Sequence, residues 1–374
     1  MILPMHFSDD TSWLHRPGAK ALITGPCSAE SREQVLETAR LIASFFPDAI
    51  FRAGTWKPRT RPGNFEGKGE DALRWLSEVK AATGLRTATE VATPAHAELA
   101  MRYGIDILWV GARTTGNPFM VEELASSLEG VDIPVMVKNP LHPDLELWIG
   151  GIERLASHGI KRLAAVHRGF FMFGTSEYRN FPRWEIVYKL KSLYPELPVI
   201  CDVSHIAGSP ALIPMLIQHA TDINLDGLMV ETHCDPANAL SDPDQQISPS
   251  ALSDILNGIQ PKQREFSEEI MRTRLDAIRD KIDKLDDTLF QTLASRMDLA
   301  REIGELKREH NVSILQLERW KEIIESAMQK ADISGNNRDF IRNIFLQIHD
   351  EAIRLQSEII ASENAEKRDH GSKA

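Results

Sequence analysis

Three metal-type ligands crowd one stretch of the chain. Two short aliphatic runs, PVICDV (198–203) and GLMVE (227–231), are separated by a helix-like segment; His205 follows the first, Glu231 closes the second, and Asp242 lies on the next loop. Imidazole and carboxylate groups at the carboxyl ends of neighbouring parallel strands can converge on one divalent cation. Cys27, just past ALITG (21–25), adds a thiol and makes a four-donor N/O/S set. Taken singly, a buried cysteine is more often a small hydrophobe, and a strand-end histidine or glutamate is more often structural. Cations follow other apolar runs: Arg52, Lys57, Arg59, Arg113, Lys138 and Arg168. Any one of them reads as a surface charge or an ion pair. Six around one rim need anions, and phosphate and carboxylate are the natural partners.

The elements that must position these groups repeat. ALITG is followed by AIFRAG (49–54), RTATEV (86–91), DILWVG (106–111), PVMVKN (134–139), KRLAAVH (161–167) and the two runs above. Amphipathic segments near 31–46, 70–82, 93–103, 119–128, 145–158, 183–193, 209–220 and 249–258 alternate with them. Such alternation predicts an α/β fold with a parallel sheet, most simply a closed (β/α)8 TIM barrel. A doubly wound open sheet is the competitor, and its GxGxxG and GxxxxGK[ST] fingerprints are missing. The polar groups collect at the same end of the strands, which in a barrel is the active-site face.

The totals bound the reading. A formal charge of −11 argues against a general nucleic-acid binder. Three cysteines form no even disulfide framework and fit a reducing cytoplasm. The first residues lack a signal-peptide pattern, and no run is long enough for a membrane-spanning helix.

The texture changes past Ile259. Residues 1–260 form the barrel, 261–268 a linker, 269–363 an all-α domain and 364–374 a polar, disordered tail. One long helix of about 40 residues, roughly 60 Å, precedes helices near 317–331 and 337–362. Its 4-3-4-3 stripe (278, 282, 285, 289, 293, 296, 300, 303, 307) carries Arg296 and Lys307 among aliphatics. These cations either snorkel to the flank or line an anion pocket. A helix of that length needs antiparallel partners, which predicts an interlocked homodimer.

The strings GPCS (25–28), FRAGTWKPRT (51–60), GAR (111–113), VKN (137–139), HRGF (167–170), DVSH (202–205) and VETHCDPANALSD (230–242) are similar to those of the 3-deoxy-D-arabino-heptulosonate 7-phosphate (DAHP) synthases. The chain resembles the compact type Iβ branch of that family. The resemblance implies that Cys27, His205, Glu231 and Asp242 hold a divalent metal, Mn2+ or similar. It also implies that Arg52, Lys57, Ala112, Arg113, Lys138 and Arg168 bind phosphoenolpyruvate and that Pro58, Arg59 and Thr60 receive erythrose 4-phosphate. Lys57 and His205 would be catalytic.

The strings LDAIRDKIDKLD (275–286), SRMDLAREIGELK (295–307), ILQLERW (314–320) and DEAIRLQ (350–356) resemble the all-helical chorismate mutases. That likeness implies that Arg279, Arg296, Lys307, Arg319 and Gln356 hold chorismate, with Arg279 supplied by the other subunit. The expected function is thus bifunctional: condensation to DAHP, and rearrangement of chorismate to prephenate. The alternative keeps the synthase and makes the helical half a non-catalytic, regulatory and dimerising module. Trp320 stands where many mutases have Glu, and Ala352 and Gln316 stand where some have Ser and Asp.

Overall fold

The computed structural model describes residues 10–15, 19–57, 65–260, 262 and 269–371, with side chains described as far as 359 and at 361. The chain divides into two compact units, Met1–Arg264 and Glu265–Ala374.

In the first unit eight strands pair in parallel in chain order, and the last closes onto the first. They are β1 (Ala21–Gly25), β2 (Ile50–Arg52), β3 (Arg86–Val91), β4 (Ile107–Val110), β5 (Val135–Lys138), β6 (Leu163–His167), β7 (Val199–Asp202) and β8 (Gly227–Glu231). Every strand expected from the sequence is present. Burial on both faces explains why they read as continuous apolar runs. One face, with Ile23, Ile50, Trp109, Met136, Val166 and Met229, fills the barrel, where Trp13 and Leu14 join it. The other face meets the helices.

Those helices are α1 (Arg32–Phe45), α2 (Glu70–Thr83), α3 (Pro94–Arg102), α4 (Ala112–Thr115), α5 (Pro118–Ser127), α6 (Leu145–Ser157), α7 (Trp184–Leu193), α8 (Val203–Ala207), α9 (Ile213–Asp222) and α10 (Pro249–Gly258). Side-chain caps start several of them: Ser31, Thr93, Asp144 and Ser248 each accept a first-turn N–H. Two short helices, α4 and α8, occupy stretches that the sequence reads as loop. Four or five residues are too few to show a helical period. Gly25 (φ +149°) lets β1 approach β2, because a Cβ there would lie 2.1 Å from the Arg52 carbonyl oxygen.

The second unit comprises α11 (Glu269–Glu309), α12 (Leu317–Ser334) and α13 (Arg338–Gly371). Gly335, left-handed at φ 70°, ends α12. Helix α13 continues past residue 362, where the sequence pattern ends it; no Gly or Pro interrupts it before Gly371. At Gly304 the helices α11 and α13 nearly touch: a Cβ there would sit 3.2 Å from the Gln356 Cα. Ala300, Ala327, Ala331, Ala352 and Leu355 are buried in this unit. The first half of α11 is not covered within this unit, with Leu285 68% and Leu289 56% exposed. Among the described residues no helix is long and apolar enough to cross a membrane.

Candidate active sites

The C-terminal mouth of the barrel is cross-linked by two buried ion pairs. Arg52, closing β2, donates from Nη1 to Glu231 Oε1, closing β8, at 2.6 Å. Lys138, closing β5, donates to Asp202, closing β7, at 2.7 Å. Each pair bridges across one intervening strand, β1 or β6, because residues of alternate strands share a layer inside a barrel. Both cations lie over the Trp109 ring, at 4.8 and 5.7 Å.

Around these pairs the expected donors assemble. Gly25 is the register partner of Glu231, which brings Cys27 beside the end of β8. The Cys27 thiol meets Asp242 Oδ2 at 3.2 Å, and Lys57 Nζ donates to its sulfur at 3.1 Å. His205 is carried by α8, whose first turn is capped by Asp202. Its Nδ1 lies 2.9 Å from Asp202 Oδ2 and 3.8 Å from Glu231 Oε1. Gln245 Nε2 donates to the second Glu231 oxygen at 2.5 Å, and Arg179 pairs with Asp242 at 3.2 Å.

These surroundings set the charge states. Burial pushes the Cys27 thiol up to about 12; the Glu231 and Asp242 charges add to this, while Lys57 and Arg52 oppose it. Burial also opposes ionisation of Glu231, but His205 and Arg52 outweigh it and hold that carboxyl well below its usual range. His205 itself is pushed below its ordinary value, chiefly by burial, which favours the neutral, metal-binding form at pH 7. Burial lowers Arg168 to about 10; Asp202 acts against this, and Arg179 and Arg113 repel it further. Cations crowded this closely suit an anionic ligand.

Cys27, Arg52, Lys57, Lys138, Arg168, His205, Glu231 and Asp242 are therefore brought to one mouth. Ala112 and Arg113 open the short helix α4. Pro58, Arg59 and Thr60 lie outside the described residues. The expected four-ligand centre is present as neighbours rather than as a formed cage: no group of three or more His, Cys, Asp or Glu among the described residues is spaced to hold a metal. Each donor is committed elsewhere, Glu231 to Arg52 and Gln245, Asp242 to Arg179, and Cys27 to Lys57. Their chemistry nevertheless fits a borderline-soft divalent ion. His205 Nδ1 is held by Asp202, which leaves Nε2 as the nitrogen that could face a metal.

His167 departs from the expectation for strand-end groups. It turns outward into the helical layer against Trp184, Phe170 and Trp148. Arg179, Asn180 and Gln245 were not singled out by spacing, and no motif marks them. Asp202 stands inside DVSH, and its part in holding both Lys138 and His205 emerges only from the fold.

In the helical unit a cavity of about 370 Å³ is lined by Arg296, Lys307, Arg319, Trp320, His349 and Gln356, among others. Lys307 Nζ donates to Gln356 Oε1 at 3.1 Å and to the Ile314 carbonyl at 2.6 Å. Arg296 and Lys307 thus line a pocket rather than snorkel away. Arg279 does not line it; that side chain is exposed and pairs with Asp276 at 3.3 Å.

A closed barrel with a cationic, thiol- and imidazole-bearing mouth, followed by helices around a second cationic cavity, defines a TIM-barrel protein with an all-α C-terminal domain. The chain matches the DAHP synthetase I family over residues 12–266 and chorismate mutase type II over residues 278–357. It belongs to the DAHP synthetase I family, with a C-terminal chorismate mutase type II domain fused to the barrel. It is 30% identical over 230 residues to the phospho-2-dehydro-3-deoxyheptonate aldolase of Thermotoga maritima, covering 62% of this chain and 66% of that one. It is also 28% identical over 259 residues to a 2-dehydro-3-deoxyphosphooctonate aldolase of Desulfatibacillum aliphaticivorans, covering 63% of this chain and 89% of that one. The crystal structure of the Thermotoga maritima aldolase superposes with a TM-score of 0.58 at 28% identity, covering 64% of this chain and 68% of that one.

Proposed function

We propose that the barrel condenses phosphoenolpyruvate with erythrose 4-phosphate to give DAHP and phosphate, and that the helical unit rearranges chorismate to prephenate. The observation that carries the first half is the burial of Arg52, Lys138 and Arg168 at one mouth, with the Arg52 Nε left without a hydrogen-bond partner. A buried donor in that state calls for an acceptor, and the carboxylate or phosphate of phosphoenolpyruvate supplies one. Arg52, Lys57, Arg113, Lys138 and Arg168 hold that substrate so that its C3 faces the aldehyde of the second. Pro58, Arg59 and Thr60 receive the four-carbon sugar phosphate. C3 bonds to the aldehyde carbon, water adds at C2, and the C2–O bond breaks to release phosphate. Lys57, beside Cys27, is placed to move the proton of the new hydroxyl. A divalent metal held by Cys27, His205, Glu231 and Asp242 would polarise the aldehyde as a Lewis acid. Cys27→Ala and His205→Ala are expected to abolish condensation while circular dichroism stays native. Full activity of either variant after chelator treatment removes the metal from the reaction. An aldehyde panel separates this substrate from other sugar phosphates.

In the helical cavity Arg296 and Arg319 bind the two carboxylates, and Lys307 and Gln356 meet the ether oxygen where negative charge grows. No nucleophile or general base is required. Arg279 comes from a second copy, because roughly 25 Å of helix separates it from Arg296; the exposed Leu285 and Leu289 support a homodimer at that face. Lys307→Ala is expected to slow chorismate consumption by about 100-fold or more. The second reading, a non-catalytic prephenate- or chorismate-binding module, draws on Gln316, Trp320 and Ala352, and an unchanged rate in Lys307→Ala would favour it. The three cysteines are free, which suits a cytoplasmic enzyme.

A further inference from the structure

One wall of the helical cavity differs from the rest. His349 on α13 and Trp320 on α12 lie face to face, with ring centroids 4.0 Å apart and planes 20° apart. Both line the cavity with Arg296, Lys307 and Arg319. On α13, His349 precedes Ala352 by about one turn and Gln356 by about two, so the three share a face. The stack removes the imidazole's rotational freedom and leaves its polar edge as the variable feature of that wall.

The chemistry of the other lining groups defines what that edge adds. Arg296, Lys307 and Arg319 can only donate hydrogen bonds. The Gln356 carbonyl already accepts from Lys307 at 3.1 Å, and Gln316 lines the cavity from its exposed side, outside the Trp320–His349 wall. The imidazole is pushed below its ordinary value by burial; Asp350 acts against this, and Arg296 and Lys307 act with it. Neutral imidazole presents one donor and one acceptor. A hydroxyl is the ligand group that matches both, whereas a carboxylate matches the cations.

We propose that the edge of His349, fixed by its stack on Trp320, is the specificity-determining contact for a hydroxyl carried by the dianionic ligand of this cavity. The proposal rests on the reading of the cavity as a chorismate site. It also accounts for the absence of a carboxylate or hydroxyl side chain at Gln316, Trp320 and Ala352.

The test uses the full chain with chorismate and its counterpart lacking the ring hydroxyl, comparing wild type with H349F, which keeps the stack, and H349Q, which keeps a donor and an acceptor. Wild type should prefer chorismate by about tenfold or more, a preference that a paired hydroxyl confers. In H349F that preference should collapse to near unity through weaker handling of chorismate, with the deoxy ligand unchanged; H349Q should recover part of it. A preference intact in H349F, or an equal loss for both ligands, overturns the proposal. The same comparison by calorimetric binding keeps the two claims apart. Wild type that binds both ligands without turnover, with the preference lost in H349F, ends the mutase reading and upholds the contact. Wild type that binds neither ends both.

Discussion

The two anion sites of this chain are built by opposite means. At the barrel mouth the charges are paired before any ligand arrives: Arg52 with Glu231 and Lys138 with Asp202, none more than 5% exposed. The closed sheet brings both pairs together from strand ends of one chain. In the helical unit the cavity is open and its cations are half-buried or exposed. The apolar stripe leading to it, Ile278 to Leu289, is not covered within the helical unit. A barrel can bury charge because its inward layers neutralise one another. Two shorter helices cannot enclose a 41-residue one, so their site is completed from outside or stays shallow.

The contrast can be broken most sharply at Glu231. Glu231→Ala leaves Arg52 buried without its partner and should destabilise the barrel by about 3–5 kcal/mol, read by denaturant unfolding. A loss under about 1 kcal/mol would mean that the mouth is wet and the pair screened. Next comes the stripe. Leu285→Asp with Leu289→Asp on a solvent face should change stability by less than about 0.5 kcal/mol. If a second copy covers them, the substitution should dissociate it on sedimentation and reduce chorismate turnover by about 100-fold, with condensation unchanged.

A third prediction concerns pH and the barrel alone. Burial holds His167 down to about 3, with Arg168 adding repulsion. The unfolded chain therefore takes up this proton first. The stability is fully present above the ordinary histidine value and is lost as pH falls from about 6.5 towards about 3. The slope attributable to His167 is roughly 1.4 kcal/mol per pH unit; His167→Phe should remove it, and unfolding titrations that still show it would reassign the acid sensitivity. The smallest effect is expected at His96. Its ring stacks on Trp56 at 3.9 Å and 3°, next to Lys57. The Trp56–Gly67 bridge and the Lys57 N–H to Glu66 carbonyl bond (2.8 Å) tie the base of that loop. His96→Ala should raise the KM for the aldehyde about threefold, from a ring pair worth about 0.5–1.5 kcal/mol, while His96→Phe should restore it.

Much of the barrel was legible because its signal is local. A parallel strand buried on both faces reads as an apolar run, and β2, β5, β6, β7 and β8 each end on a polar residue, Arg52, Lys138, His167, Asp202 and Glu231. The helices α4 and α8 were not legible, although they carry Arg113 and His205, since one turn shows no period. Arg179 and Gln245 were missed for a related reason: each acts on Asp242 or Glu231 from a loop with no repeating pattern. In the helical unit the spacing of Arg296 and Lys307 showed a common face. It left open whether they snorkel, because that depends on what stands opposite.

By itself, then, the sequence determined which residues end the strands and which share a helix face, since both follow from periods of two and 3.6 along the chain. Only the tertiary structure decided the partners. Arg52 and Glu231 belong to strands at opposite ends of the sheet in chain order, and closure through β1 makes them neighbours. Ion pairing, burial and the resulting protonation states depend on distance through space and on exclusion of water, and neither quantity is written in the spacing of residues.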